Sequence, residues 1–200
     1  PAEIIFQEKF EEEISLLNKE LDKKLIEGMR SQGEKICKFI IPEIKNRFGD
    51  YEIISIEEEL YEKIEEFETK QEMNFKGYID LVLKTSDGKY HIIDWKTCSW
   101  GWDQRRKADP MTVYQLSYYK NYFSKKHKIL QEDIGTYFVL LKRTANKNIV
   151  EIVDVTNGPK RINNSINLLE RALKNIENKN FIKNRLSCRN CEFYKTEHCK

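Results

Sequence analysis

Residues 77–97 read GYIDLVLKTSDGKYHIIDWKT. Val, Ile, Leu and Tyr fill both of its arms, and Ser, Asp and Gly interrupt the middle. This pattern is typical of two strands joined by a tight turn. The stretch therefore predicts a β-hairpin whose turn lies at residues 86–88.

Two carboxylates oppose each other in this hairpin. Counting outward from a three-residue turn places Asp80 directly across from Asp94 on one face of the sheet, with Cβ atoms roughly 4.5–5.5 Å apart. A four-residue turn would shift the register by one and separate them. Lys96 points to the same face as Asp94 in either register. Because like charges repel at this distance, we expect a positive group between the two carboxylates.

This set of side chains favours metal-dependent chemistry. Carboxylate oxygens are the ligands that Mg²⁺ or Mn²⁺ prefers, and a lysine beside them can stabilise charge that develops on a phosphate. The alternative is a structural ion pair between Lys96 and one of the aspartates. Asp94 follows two apolar residues, however, and a buried charge is normally paired or bound to metal. We therefore predict phosphodiester hydrolysis.

The order of the motifs resembles the PD-(D/E)XK nuclease superfamily. The chain has G-x-x-D ending at Asp80, a hairpin, D-W-K-T starting at Asp94, and then Gln115-x-x-x-Tyr119. The composite is most similar to the RecB-like branch, which includes AddAB nuclease domains and CRISPR-associated adaptation exonucleases. The resemblance covers about half of the chain. Two positions depart from the family name, since Ile79 stands in place of proline and the second acid is Asp rather than Glu.

The resemblance implies roles for individual residues. It makes Asp80, Asp94 and the backbone carbonyl of Trp95 ligands of Mg²⁺ or Mn²⁺. It makes Lys96 the catalytic lysine and brings Gln115 and Tyr119 to the active site from a downstream helix. From its position at the end of a predicted strand, Glu57 is a further candidate metal ligand.

The periodicity of apolar residues predicts an α/β fold, with a central mixed sheet flanked by helices in a restriction-endonuclease-like core. The predicted strands are 51–58, the two arms of the hairpin, 134–142 and 149–155; the predicted helices are 6–29, one from residue 31 that Pro42 ends or kinks, 111–123 and 160–178. We expect N-terminal helices in 1–50, the nuclease core in 51–180, and a Cys-rich metal-binding tail in 181–200.

The charge distribution is uneven along the chain. Residues 1–70 carry 19 acidic and 11 basic side chains, whereas residues 71–200 carry 14 acidic and 24 basic ones. A basic half around an acidic site suits a nucleic-acid substrate, although a solvated Lys-rich surface gives the same counts. Since neither a membrane span nor a signal peptide is recognisable, we expect a soluble, cytoplasmic protein of a bacterial or phage-infected cell.

The segment after the catalytic strand combines aromatic and basic side chains. Such residues stack on bases and pair with phosphates, so we interpret the segment as a substrate-contacting loop. Core packing is the alternative for each tryptophan. The predicted nucleic-acid-binding residues are Trp100, Trp102, Arg105, Arg106 and Lys107.

The C-terminal cysteines predict a metal centre, because a cytosolic C-x-x-C with a nearby third thiolate is more often a metal site than a disulfide. The nuclease resemblance implies a 4Fe–4S cluster with one distant fourth cysteine. Zinc remains open by ligand type. The expected ligands are Cys188, Cys191, Cys199 and Cys37, with Cys98 or His198 as the alternative fourth ligand.

These observations predict a metal-dependent deoxyribonuclease. On family resemblance it is an exonuclease in recombination, repair or phage replication, acting on single-stranded DNA or duplex ends and working with a helicase or recombination partner. The alternative is an inactive nucleic-acid-binding module with a structural zinc or iron–sulfur centre. Intact Asp80, Asp94, Lys96 and Gln115 argue against the alternative.

Overall fold

One five-stranded sheet organises residues 2–17, 21–180 and 185–199, the part of the chain that the computed structural model describes. Its strands, in spatial and chain order, are β1 (Tyr51–Lys63), β2 (Asn74–Thr85), β3 (Tyr90–Cys98), β4 (Ile134–Lys142) and β5 (Val150–Asp154). β3 and β4 are parallel, and the other neighbours are antiparallel. The sheet is therefore mixed, as predicted, although β1 extends beyond the predicted end at residue 58.

Five α-helices form in the described residues. They are α1 (Ala2–Leu16), α2 (Lys23–Phe48), α3 (Gln104–Ala108), α4 (Pro110–His127) and α5 (Pro159–Glu177), with 3-10 turns at Gln131–Asp133 and Arg185–Asn190. The flanked mixed sheet confirms the predicted α/β class. None of the described helices is long and apolar enough to cross a membrane.

The predicted N-terminal helices were wrong in their boundaries. A single helix over 6–29 does not form, because the Asp22 carboxylate accepts hydrogen bonds from the backbone N–H groups of Lys24 and Leu25 and starts α2 there. Of the two effects predicted for Pro42, an end or a kink, the end does not occur, since α2 continues to Phe48.

The two faces of the sheet bury different helices. Val82 and Ile92, paired across the hairpin, lie in a core with Leu116 of α4. The next pair of residues points the other way, and Ile93 packs in a second core with Ile44 of α2. Because side chains alternate along a strand, Asp80, Asp94 and Lys96 share the α4 face with Val82 and Ile92. This alternation directs the predicted site toward α4.

The hairpin turn fixes the register on which that alternation depends. Thr85 donates its N–H to the Lys89 carbonyl at 3.0 Å, and Gly88 donates to the Thr85 carbonyl at 2.9 Å. Gly88 has a φ of 85°, which favours glycine and is typical of three-residue hairpin loops. The turn therefore comprises residues 86–88, as the sequence predicts.

Candidate active site

Asp80 and Asp94 occupy facing positions at the end of the hairpin ladder. The pairing runs from Lys84 and Tyr90 to Leu81 and Ile93, and the next opposed positions are those of the two aspartates. Asp80 Oδ2 accepts a hydrogen bond from the Trp95 N–H at 2.6 Å, so this carboxylate is held against the backbone of β3. The predicted opposition of the two carboxylates follows from this register.

Asp94 is a buried carboxylate, with only 2% of its surface exposed. Lys96 Nζ lies 2.6 Å from Asp94 Oδ2 as an ion pair, but this oxygen accepts no hydrogen bond of regular geometry from the described residues. Burial raises the pKa of Asp94 to about 6, against the lowering effect of Lys96 and with a further rise from the charge of Asp80. The buried carboxylate is therefore compensated by the ammonium of Lys96 and lies close to the second carboxylate, Asp80.

A chain of hydrogen bonds connects Lys96 to α4. Lys96 Nζ donates to Gln115 Oε1 at 3.0 Å, and Gln115 Nε2 donates to the Tyr119 hydroxyl at 3.0 Å. Residues four apart lie on one face of a helix, so α4 presents Gln115 and Tyr119 to the strand together. The lysine is thus held between Asp94 and Gln115.

Tyr119 closes this side of the site. Burial raises the pKa of its phenol, and the charges of Asp94 and Asp80 raise it further. A Cβ atom at Gly77 would lie 2.9 Å from Cε1 of Tyr119, closer than van der Waals contact allows. Glycine at position 77 therefore lets the tyrosine ring approach β2. Gly77 is the glycine of the G-x-x-D motif, but the spacing of the motif alone did not indicate that the ring of Tyr119 packs against this glycine.

Glu57 lies on β1 at the position across from Asp80. Its neighbours Ile56 and Glu58 pair with Leu81 and Ile79, so the register places Glu57 opposite Asp80. Glu57 is exposed and has a φ of 51°, a left-handed conformation that is rare for a residue inside a strand. Such outliers occur preferentially at functional sites.

The donor set at this site suits a hard divalent cation. Two carboxylates face each other, one of them buried with an oxygen that lacks a regular hydrogen bond. Within the described ranges, however, no group of three or more His, Cys, Asp and Glu side chains is gathered closely enough to hold a metal. Asp80 and Asp94 are therefore the two carboxylates of the candidate site, and no third His, Cys, Asp or Glu side chain of the described residues joins them.

The residues predicted to contact the substrate from this loop differ in their exposure. Trp102 is buried, packs on Phe138 and carries the Arg106 guanidinium 4.5 Å from its ring centroid. Lys107 pairs with Glu151 at 2.5 Å in a partly buried ion pair. A surface-binding role does not fit these placements of Trp102 and Lys107. The exposed members of the loop are Trp100, Arg105 and Arg106.

The cysteines lie in separate parts of the fold. Cys37 is half-buried on α2, where burial and then the charge of Glu3 raise the pKa of its thiol. Cys98 ends β3 and packs against the core. The three C-terminal thiols lie in the segment 185–199, and none of the five cysteines belongs to a metal-holding group in the described part of the chain. The predicted cluster ligands are thus not brought together in this arrangement.

Comparison with known proteins identifies a family for this chain. The sequence model of the PD-(D/E)XK nuclease superfamily matches residues 3–196. No curated protein matches the chain. A solved structure described as "Crystal structure of SSO0001" has 17% sequence identity and a TM-score of 0.48, covering 96% of this chain and 92% of that one. The family match includes the hairpin and α4, and it does not distinguish the RecB-like branch from others.

Proposed function

The chain belongs to the PD-(D/E)XK nuclease superfamily, and from this premise we propose that it is a divalent-metal-dependent deoxyribonuclease that degrades DNA from its ends. Membership implies metal-dependent nuclease activity. One observation supports the assignment to this site. Asp80 and Asp94 face each other beside Lys96, which is held by Asp94 and Gln115.

Asp80 and Asp94 would hold the cation, Mg²⁺ or Mn²⁺, with the Trp95 carbonyl and Glu57 as further ligands. When bound, the ion supplies Lewis-acid polarisation of the phosphate and a nucleophile at neutral pH. The low exposure of Asp94 keeps water from screening its charge, which strengthens its attraction for the cation. Asp80 is oriented for this role by the Trp95 N–H.

Lys96 would stabilise the negative charge that develops on the scissile phosphate. Its ammonium is fixed by two contacts, with Asp94 at 2.6 Å and Gln115 at 3.0 Å, so little reorganisation is needed during the reaction. Tyr119 in turn holds the Gln115 amide. In this proposal Lys96 is the catalytic residue that meets the phosphate, while Gln115 and Tyr119 position it.

The finer assignments rest on resemblance and on surface charge. We propose an exonuclease of the RecB-like branch in recombination, repair or phage replication, with a helicase or recombination protein as partner. Exposed Trp100, Arg105 and Arg106 would contact the DNA strand. Cys188, Cys191 and Cys199, with Cys37, would bind an iron–sulfur cluster or zinc once these thiols come together.

The test is incubation of the purified protein with end-labelled linear DNA and closed circular DNA. We expect Mg²⁺ or Mn²⁺ to support degradation of the linear DNA, a chelator to stop it, and circular DNA to survive. Asp94→Asn should be inactive, whereas Asp87→Asn in the exposed hairpin turn should match the wild type. Cleavage of circular DNA would replace the exonuclease with an endonuclease, and activity in chelator would overturn the metal-dependent mechanism.

A further inference from the structure

A cavity of about 330 Å³ adjoins the candidate active site, between α4, the start of β2 and α5. From α4 it is lined by Met111, Tyr114, Gln115, Tyr118 and Tyr119, which recur at helical spacing; β2 contributes Phe75, Lys76 and Gly77, and α5 contributes Leu168. Gln115 and Tyr119 also belong to the site around Lys96. The cavity is therefore continuous with the catalytic residues.

The walls of this cavity are aromatic and held in place. The Tyr118 hydroxyl donates to the Ser165 carbonyl at 2.8 Å, and the Tyr119 hydroxyl accepts from Gln115 at 3.0 Å. Tyr114 is half-buried and also lines the cavity, as does Met111, which is 75% exposed. The volume lies at the lower end of the roughly 300–1,000 Å³ typical of small-ligand sites. A preformed apolar cavity of this size suits a flat aromatic group.

The charged residue at this cavity, Lys76, does not favour a small anion as its ligand. Lys76 on its rim is 3.1 Å from Glu59 in an ion pair, so the charge of this lysine is already compensated. A small anion would therefore gain little here. A planar base would gain from stacking on the tyrosine rings, and its attached phosphates would remain outside, toward Lys96.

We propose that the cavity holds one unstacked nucleobase of the substrate strand, next to the scissile phosphate, an inference that rests on the nuclease function proposed above. A base in this cavity can neither pair nor stack within a duplex, so the site selects single-stranded DNA or frayed ends. Stacking on aromatic rings tolerates every base, and so little sequence preference is expected. Tyr114, which lines the cavity and lies outside the Lys96–Gln115–Tyr119 chain, is the residue on which the base stacks and which determines the preference for single strands.

The experiment measures binding of single-stranded oligonucleotides in Ca²⁺, so that no turnover is needed. An abasic tetrahydrofuran nucleotide is placed at each position in turn, counted from the bound end. For the wild type we expect one position at which loss of the base weakens binding by about 10- to 100-fold. Tyr114→Ala should weaken binding of the intact strand similarly and lose sensitivity to that position. Tyr114→Phe should behave as the wild type.

The control is Tyr61→Ala, which removes a tyrosine that is 61% exposed on β1, outside the cavity, and which should leave the positional effect unchanged. Equal affinity for every abasic strand would overturn the proposal without any variant, as would a Tyr114→Ala protein that folds and keeps the positional effect. Cleavage in Mg²⁺ is measured separately. Base-dependent binding without cleavage would support the cavity assignment and contradict the proposed nuclease activity alone.

Discussion

Asp94 combines deep burial with a negative charge, and the side chains around it decide whether that charge is tolerated. Its carboxylate is 2% exposed, and Lys96 is its ionic partner at 2.6 Å. Taking one member from a buried pair costs about 3–5 kcal/mol, because the other charge is left uncompensated. Burial is also the main cause of the rise of the Asp94 pKa to about 6, which occurs although Lys96 lowers it. A bound cation would offset it, and so the same burial favours metal binding.

Lys96→Met tests whether the lysine acts on the phosphate. We expect turnover to fall by at least about 10²–10³-fold, because one preorganised charge that stabilises the transition state is lost. Asp80→Ala and Asp94→Ala should likewise abolish cleavage, since each removes a proposed metal ligand. Steady-state cleavage of linear DNA in Mg²⁺ measures the effect, and circular dichroism verifies that each variant is folded.

The matched control is Lys89→Ala, which removes an exposed lysine directly after the turn of the same hairpin and should leave turnover unchanged. A folded Lys96→Met or Asp94→Ala protein with near-normal turnover would contradict the assignment of the site. Gln115→Ala should lose less activity than Lys96→Met, because Asp94 still holds the ammonium.

Gly77→Ala tests the packing that positions Tyr119. The new Cβ atom would lie 2.9 Å from the Tyr119 ring and 3.2 Å from the ring of Phe75, so the tyrosine must shift. We expect a destabilisation of about 1–3 kcal/mol from overpacking. Turnover should fall by about 10- to 100-fold as Gln115 loses its partner. Urea unfolding and cleavage assays measure the two effects.

Gly28→Ala on α2 is the control for this change, since a Cβ atom there meets nothing within 4 Å. Alanine should stabilise the helix by about 0.5–1 kcal/mol and leave cleavage unchanged. Equal behaviour of the two alanine variants would show that position 77 has no special packing role.

Among the secondary-structure elements, the hairpin was predictable because it depends on interactions between residues close in sequence. The turn at residues 86–88 needs only a glycine with positive φ and local hydrogen bonds, so its sequence fixes the register that opposes Asp80 and Asp94. The end of α2 was not predictable in this way. An internal proline costs about 3 kcal/mol, but Ile44 and Phe48 beyond Pro42 are buried against the sheet. Tertiary burial thus overrides the local preference.

In the segment between β3 and α4, the local sequence likewise could not predict which side chains are buried. Its composition predicts a substrate-contacting loop, whereas α3 forms within it and Trp102 packs on Phe138. Nothing in the local sequence distinguishes Trp102 from Trp100, which is 73% exposed. The difference depends on β4, which is distant in the sequence. Contacts with β4 therefore determine which tryptophan of this segment is buried, and the local sequence pattern could not predict it.

Glu66 anchors the segment after β1 to α4, and this connection predicts a pH dependence of stability. The carboxylate accepts from Asn121 at 2.6 Å and pairs with Lys125 at 2.8 Å. Burial would raise the pKa of Glu66, but the bonds from Lys125 and Asn121 lower it on balance. A lowered pKa stabilises the fold above the unfolded-state value of about 4.3, and this stabilisation is lost as the pH falls through the folded-state value.

Glu66→Gln should therefore destabilise the protein by about 1–3 kcal/mol at pH 7, and the difference from the wild type should shrink below about pH 4. Urea unfolding across this pH range measures it. Glu72→Gln is the control, because its ion pair with Lys63 is exposed and contributes at most about 1 kcal/mol. A Glu66→Gln difference that does not vary with pH would contradict the role of the charge.

At the scale of the whole molecule, the basic residues after position 70 predict salt-dependent DNA binding. Arg105 and Arg106 are exposed on α3, the helix that follows β3 in the chain. Replacing both with alanine should weaken binding and reduce the slope of log affinity against log salt by about two, since each phosphate contact contributes roughly one unit. Lys24→Ala, an exposed change in the acidic half, should leave the slope unchanged. An unaltered slope in the double variant would remove both arginines from the interface.

Within residues 185–199, the aromatic side chains are largely exposed. Phe193 and Tyr194 are 50% and 46% exposed. The backbone bonds of Cys191 and Cys199 are local, to carbonyls three residues earlier. A metal that joined these thiolates would supply the missing stabilisation, because ligand binding to the folded form adds directly to its stability.

We therefore expect protein purified without oxygen to contain iron and sulfide and to be brown, since thiolates favour iron–sulfur clusters or zinc. Cys188→Ser should remove the metal, whereas Cys98→Ser, which changes a thiol packed against the core, should retain it. Elemental analysis decides between the centres: about one zinc per chain would support the zinc alternative. The absence of both metals from anaerobically prepared protein would refute a metal centre in the tail. Loss of the centre should leave cleavage measurable, because Asp80 is held by the Trp95 N–H and Asp94 by Lys96, which in turn bonds Gln115 of α4.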